Sequence, residues 1–261
     1  METLHQKAAQ MQHDWLARAG GGYISGRAEI GERVHISASA RVFGNVIIGD
    51  DSVIDANVTL GYPTVDAIRA CLGSGSSTAE ELLDQAAKKT TIIGPNSLVR
   101  GFTVIYEDVS IGEKLDCAHD VVVREGSSLG VGVELGPQAY IKSDAKIGDH
   151  CRIAGVICDR AIVGKHCTVY GDVIHKFTSG ISGMKEESPT LEDGVVVGRQ
   201  ACVIGPITIG RLSLVGAGAI VTHSIQEESV VAGNPARSLR SREWAEAAEL
   251  WARVLGTEVP H

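Results

Sequence analysis

Cut every six residues, positions 93–152 read IGPNSL VRGFTV IYEDVS IGEKLD CAHDVV VREGSS LGVGVE LGPQAY IKSDAK IGDHCR. Nine of these ten hexads open with Ile, Leu or Val, the exception being Cys117, and nine of the ten third positions are non-aliphatic. A period of six matches neither the 3.6-residue helix nor the simple two-residue alternation of a strand. It fits short flat strands joined by tight corners, three hexads to a triangular coil. First and fifth positions then point inward and third and fourth positions outward. Glycine commonly follows the opening aliphatic, where its backbone freedom serves a turn.

The same pattern runs outward from this stretch in both directions. From Ile24 it reads ISGRAE IGERVH ISASAR VFGNVI IGDDSV IDANVT LGYPTV. After the remnant IAGV at 153–156 the phase shifts to ICDRAI VGKHCT VYGDVI, and it resumes at Val197 as VGRQAC VIGPIT IGRLSL VGAGAI VTHSIQ. Twenty-five complete hexads predict an all-β solenoid of about eight coils, on the order of 40 Å tall at roughly 4.8 Å per strand layer. The expected organisation is an N-terminal helix over 1–22, a β-helix domain over 23–240 and a C-terminal helix over 241–261. Insertions at 63–91 and 175–196 interrupt the β-helix.

Composition agrees with such a repeat. Of 261 residues, 44% are hydrophobic but only 4% aromatic, and 31 are glycine, so the core is built from small aliphatic side chains. A net charge of −8 without a basic stripe argues against a nucleic-acid partner. The sequence has neither an apolar run of membrane-spanning length nor a leader-type apolar core, so a soluble cytoplasmic protein is expected. The six cysteines lack CxxC spacing and sit in strand-like segments, which predicts reduced, mostly buried thiols.

A solenoid needs no loops, and insertions in one tend to gather on a binding face. The first insertion carries Thr78 with Glu81 three residues on, a capping box opening a helix. The second, HKFTSGISGMKEESPTLEDG, is polar and leaves the repeat at His175. Both read as a lid or an acceptor-binding arm.

Together with the hexads, VGAGAIVTHSIQEESVVAGNPAR at 215–237 resembles the hexapeptide-repeat acyltransferases, whose closing segment typically reads AGSVVTKDVPPNSVVAGNPAK. That resemblance implies a left-handed parallel β-helix and a homotrimer with sites between subunits. It also implies acetyl-CoA as cosubstrate in a groove along the prism, with no metal. Carried over position by position, the cofactor contacts fall on Gly216, Ala217, Thr222 and Ala232, with Arg237 suited to phosphate. Here His223 stands in place of the commoner lysine and Ala219 in place of the commoner serine. The middle run VRGFTVIYEDVSIGEKLDCAHDVVVREG resembles a sugar-acetylating subgroup in which IRSGTVIY and TGHNVLIRE recur. His119, Arg124 and Glu125 match those motifs, Cys117 replaces the usual threonine, and Asp172 matches a later aspartate beside which Gly171 replaces asparagine.

Acyl transfer requires a base for the acceptor's proton and a donor for the developing oxyanion. Histidine, with an ordinary pKa near 6.5, suits the first task. His119 occupies an outward third position and is the first candidate, with Asp120 or Glu125 available to orient it. His175, beside Asp172 where the chain leaves the prism, is the second. Cys117 falls in an inward slot, where a cysteine packs as a small hydrophobe rather than attacking as a nucleophile.

The resulting expectation is acetyl-CoA-dependent N-acetylation of an amino sugar, free or nucleotide-linked, by direct attack. Acetylation of a sugar hydroxyl, an amino acid or an antibiotic are the alternatives within the class. Outside it stand a non-catalytic scaffold and a γ-type carbonic anhydrase. The latter needs a local pair of histidines five residues apart, whereas the closest candidates in the repeat, His166 and His175, are nine apart. The 23 residues before the first hexad leave no room for the nucleotide-binding domain of a nucleotidyltransferase.

Overall fold

The computed structural model describes residues 21–73, 75–76, 78–176 and 187–239; the helices expected at the two termini lie outside the described residues, apart from 21 and 22. Among the described residues thirty short strands form three sheets of ten, nine and eleven strands. We call these faces A, B and C, beginning respectively at Tyr23–Ile24, Glu29–Ile30 and His35–Ile36. All pairings are parallel except the last on face C, where Arg237–Ser238 folds back antiparallel on Val230–Ala232. The architecture is a left-handed β-helix.

The hexad register sets this arrangement directly. On face C, Asp116 pairs with Glu134 and Glu134 with Arg152, so the chain returns to the same face every eighteen residues. First-position residues such as Ile93, Val99, Ile105, Ile111, Cys117 and Val123 are fully buried, as are fifth-position Val121, Val133 and Ala139. All ten fourth positions between 93 and 152, from Asn96 to His150, have φ between 55° and 74°. The corner therefore turns through the left-handed region at the same slot in every hexad, a conformation that glycine, asparagine and aspartate tolerate best.

The chain makes ten coils rather than the expected eight or so, because several faces are invisible to a strict period of six. Only Ala154 and Gly155 separate the strands Arg152–Ile153 and Val156–Ile157, and only Tyr170 and Gly171 separate Thr168–Val169 from Asp172–Ile174. IAGV is thus a shortened corner rather than a break. Glycine is required there: a Cβ on Gly155 would run into the Gly171 carbonyl, and one on Gly171 into the Ala201 carbonyl. The chain also re-enters the prism at Thr190–Leu191, inside the stretch expected to be insertion.

Both insertions leave from the A/B edge, the first after Thr59–Tyr62 and the second after Asp172–Ile174. The first returns at Thr90–Ile93 and carries two helices, α1 (Val65–Cys71) and α2 (Ala79–Ala86). Thr64 caps α1 by accepting from Ala67 N, and Thr78 caps α2 by accepting from Glu81 N. Asp84 of α2 ties the arm to the early coils, accepting from Gly44 N at 2.7 Å and pairing with Arg27.

Glu107, on the same edge one coil on, closes the base of this insertion. It is 3% exposed, and its carboxylate accepts from Thr64 N (3.3 Å) at the exit and from Lys88 N and Lys89 N (2.9 and 3.0 Å) at the return. Three backbone N–H groups at the root of the insertion depend on that one buried side chain. Glu107→Ala is therefore expected to cost about 2–4 kcal/mol in denaturant unfolding, with proteolysis accelerated between 63 and 89, while Glu107→Gln, which keeps one acceptor oxygen, costs less.

Candidate active site

His119 sits on the C/A edge, in the corner after Asp116–Cys117, exposed; its carbonyl accepts from Gln138 N, and its imidazole makes no hydrogen bond among the described residues. Its imidazole lies over Gly101 of the preceding coil: a Cβ on that glycine would be 3.6 Å from His119 Nδ1. Asp120 is next to it at φ 59°, its backbone N–H held by the Gly101 carbonyl, and its carboxylate does not bond the imidazole.

Glu125 does not orient His119 either. It lies one strand later, on the A/B edge, where Arg124 Nε and a terminal guanidinium nitrogen donate to its two oxygens at 2.7 and 3.0 Å and Ser143 adds a third bond at 2.8 Å. Arg124 in turn stacks 4.4 Å above the Tyr106 ring. Burial alone would raise the Glu125 carboxyl, but the guanidinium and the Ser143 hydroxyl outweigh it and hold its pKa below the ordinary value. Arg124 and Ser143, not His119, therefore fix the orientation of this carboxylate.

His175 occupies the A/B edge at the exit of the second insertion. Its Nε2 is 3.0 Å from Asp159 Oδ2, a carboxylate of the preceding coil that the sequence reading passed over. The Ser188 hydroxyl donates to the Asp159 carbonyl, so Asp159 holds both ends of this insertion. Asp172, expected beside His175, instead accepts from Val156 N at 3.0 Å.

The expected cofactor residues separate into two groups. Gly216 and Ala217 form a C/A corner, and Ala232 ends the neighbouring strand on the same side. This is the edge that carries His119, five coils and about 24 Å away at roughly 4.8 Å per layer. Between them lie the two shortened corners, 154–155 and 170–171, where the edge is set back by the missing residues. Thr222 and Arg237 instead line a cavity of about 490 Å³ at the far end of the prism, together with Val221, Ile225, Val231 and Ala236. His166 and His175 fall on different edges, B/C and A/B, so they form no local ligand pair; His166 stacks on His150 at 5.2 Å.

No family model matches the chain. Among curated proteins it is similar to the bifunctional protein GlmU of Geobacillus sp. (strain WCH70), 29% identical over 166 residues, covering 54% of this chain and 36% of that protein. It is also similar to that of Geotalea daltonii, 27% identical over 214 residues, covering 76% and 43%. The chain thus spans less than half the length of these relatives. Solved structures with a similar coil include GDP-perosamine N-acetyl transferase from Caulobacter crescentus in complex with CoA and GDP-perosamine (17% identity, TM-score 0.34, covering 71% of this chain and 70% of that one). Serine acetyltransferase from Neisseria gonorrhoeae is another (20% identity, TM-score 0.33, covering 53% and 41%).

The chain is similar in sequence to these acetyltransferase relatives and shares the hexad-built left-handed β-helix. In this hexapeptide-repeat protein Cys117 is fully buried, and burial pushes its thiol up to about 12, so at neutral pH it is a protonated filler of the core. Cys151, Cys158 and Cys167 are buried too, while Cys71 and Cys202 are half-buried. Among the described residues no helix is long and apolar enough to cross a membrane.

The sequence reading missed Phe102, although a signal was present. It is the one aromatic among the ten fourth positions and the bulkiest side chain forced to positive φ there.

Iodoacetamide at pH 8 should alkylate Cys71 in the native protein and reach Cys117 only after unfolding, as read by peptide mass. Glu125 favours the folded state above the unfolded-chain pKa of about 4.3 and loses that contribution as pH falls through its lower folded value. Arg124→Ala should therefore flatten the acid limb of the stability profile, measured by urea unfolding between pH 3 and 6.

Proposed function

We propose that the protein is an acetyl-CoA-dependent N-acetyltransferase whose acceptor is the amino group of a sugar, free or nucleotide-linked. The alignment of His119 with Gly216, Ala217 and Ala232 along one edge carries this reading. An extended pantetheine arm and its nucleotide can cover that span, and the small residues and shortened corners let a ligand approach the backbone closely.

With the thioester at the His119 end, the imidazole takes one proton from the protonated acceptor amine. The freed amine nitrogen attacks the acetyl carbonyl and forms the C–N bond. As the C–S bond breaks, the second amine proton passes to the departing thiolate, directly or through the base. The products are the amide and free CoA thiol, with one proton released to solvent. No acyl-enzyme is needed, consistent with the buried thiol of Cys117. The reaction belongs in the cytoplasm, where acyl-CoA is available.

Face A supports a homotrimer. Its outward column runs Val104, Val122, Tyr140 and Val156, with Cys202 and Ile220 further along, whereas the middle of face C shows Asp116, Glu134 and Arg152. Packing face A against neighbouring copies would bring the C/A edge of one protomer to the A/B edge of another, and so add the insertions to the site. Tyr140→Lys is expected to lower the mass seen by light scattering to that of a monomer and to reduce turnover with it.

A second reading makes His175 the base, because the Asp159 carboxylate holds its ring as an oriented base requires. Thiol release from acetyl-CoA with amino sugars and amino-sugar nucleotides separates the two. His119→Ala should lower kcat by about 10²–10⁴-fold, the usual contribution of a general base, and His175→Ala by much less. The reverse order would transfer the role to His175, and no turnover with any amino acceptor would remove the N-acetyltransferase reading.

A further inference from the structure

Phe102 combines two features that rarely occur together without a use. It is 62% exposed, and it holds φ at 63°. A bulky aromatic is among the least comfortable residues in the left-handed region, and a large apolar side chain gains nothing from water. The neighbouring corners of that edge fill the slot with Asn57, Asp120 and Gln138, polar residues that suit it. The Phe102 ring is therefore costly for the fold where it stands.

Beside it, three successive coils of the C/A edge meet at Gly101. The point where a Cβ would stand on this glycine is 3.6 Å from His119 Nδ1 and 3.7 Å from Asp55 Oδ2. The other Asp55 oxygen accepts from Ala56 N at 2.7 Å, leaving Oδ2 without a partner among the described residues. An imidazole and a carboxylate thus flank one notch, kept open because residue 101 has no side chain. Gly101 is not at positive φ; a Cβ there would stand 3.0 Å from the Ala56 carbonyl oxygen, so the close approach of the preceding coil favours glycine as well as leaving the notch open.

We propose that this notch is the acceptor subsite, taking a primary ammonium borne on a ring. Asp55 Oδ2 holds the ammonium, His119 receives its proton, and the Phe102 face covers the apolar face of the ring. The inference deepens the N-acetyltransferase reading and rests on it for the role of His119. It assigns amine selectivity to Asp55: a hydroxyl in the same place leaves the carboxylate without its cation and binds more weakly.

The test is equilibrium binding by calorimetry, which needs no turnover. The probes are 2-, 3- and 4-amino hexoses as nucleoside diphosphate esters, each beside its hydroxyl parent. The wild-type protein should bind at least one amino form 10-fold or more tightly than its parent, and Asp55→Asn should reduce that ratio to about 1. Phe102→Gly should weaken the amino form about 10-fold with Tm unchanged or raised, since glycine suits the slot better. Gly101→Ala should abolish the preference by filling the notch, with acetyl-CoA affinity unchanged.

No preference for any amino form in the wild-type protein, or a preference that survives Asp55→Asn, overturns the assignment. So does Phe102→Gly with undiminished binding. Failure of the catalytic reading would look different: amine preference and its Asp55 dependence would persist while His119→Ala turned over normally.

Discussion

The constraint on which the molecule depends is the backbone ladder between coils. Val53 N–H donates to the Ser97 carbonyl, Leu98 N–H to Leu115, Asp116 N–H to Val133 and Glu134 N–H to Cys151, each at 2.8–3.0 Å, and the pattern repeats on every face. Strands of two to four residues have too little backbone to be stable singly. They persist because each is paired on both sides and its inward residue is buried. In-register stacking then places equivalent positions of successive coils in columns, one layer apart, so a choice at one residue is felt directly above and below it.

Those columns govern where departures from the repeat can occur. A corner may be shortened, as at 154–155 and 170–171, only where glycine lets the adjacent carbonyl approach. A corner may be lengthened into an insertion only if the ladder is closed again behind it. On the A/B edge that closure falls to acidic residues of neighbouring coils, Glu107 for the first insertion and Asp159 for the second. In both places a carboxylate or its backbone carbonyl satisfies donors from the exit and the return of the chain. The arms are thus anchored at their roots on one edge, while the C/A edge, on the other side of face A, carries neither of them.

The same stacking explains why chemistry gathers at edges. Face interiors offer only alternating inward and outward side chains, but a corner projects its third and fourth residues together, and neighbouring corners superpose them. At the C/A edge this brings Asp55, Gly101 and His119, from three coils and 64 residues of chain, around a single point. Arg124 and Glu125, adjacent to His119 in sequence and in the family's motif, are carried to another edge by one strand of turn-free chain.

The hexad period alone determined the prism, the inward slots and the fate of Cys117. Each follows from spacing along the chain, and spacing survives any arrangement of coils. It located His119 as an outward residue and anticipated the two departures from the repeat and the cap at Thr78, but not the cap at Thr64. It could not count the coils, because shortened corners at 154 and 170 keep the stacking while breaking the period. Nor could it tell which candidates share an edge: that depends on how many faces the chain passes between them. His119 shares an edge with Gly216, and Asp159 meets His175 and Asp55 meets Gly101, only because the ladder superposes corners that are 16 to 97 residues apart in sequence, and that superposition exists only in the coiled chain.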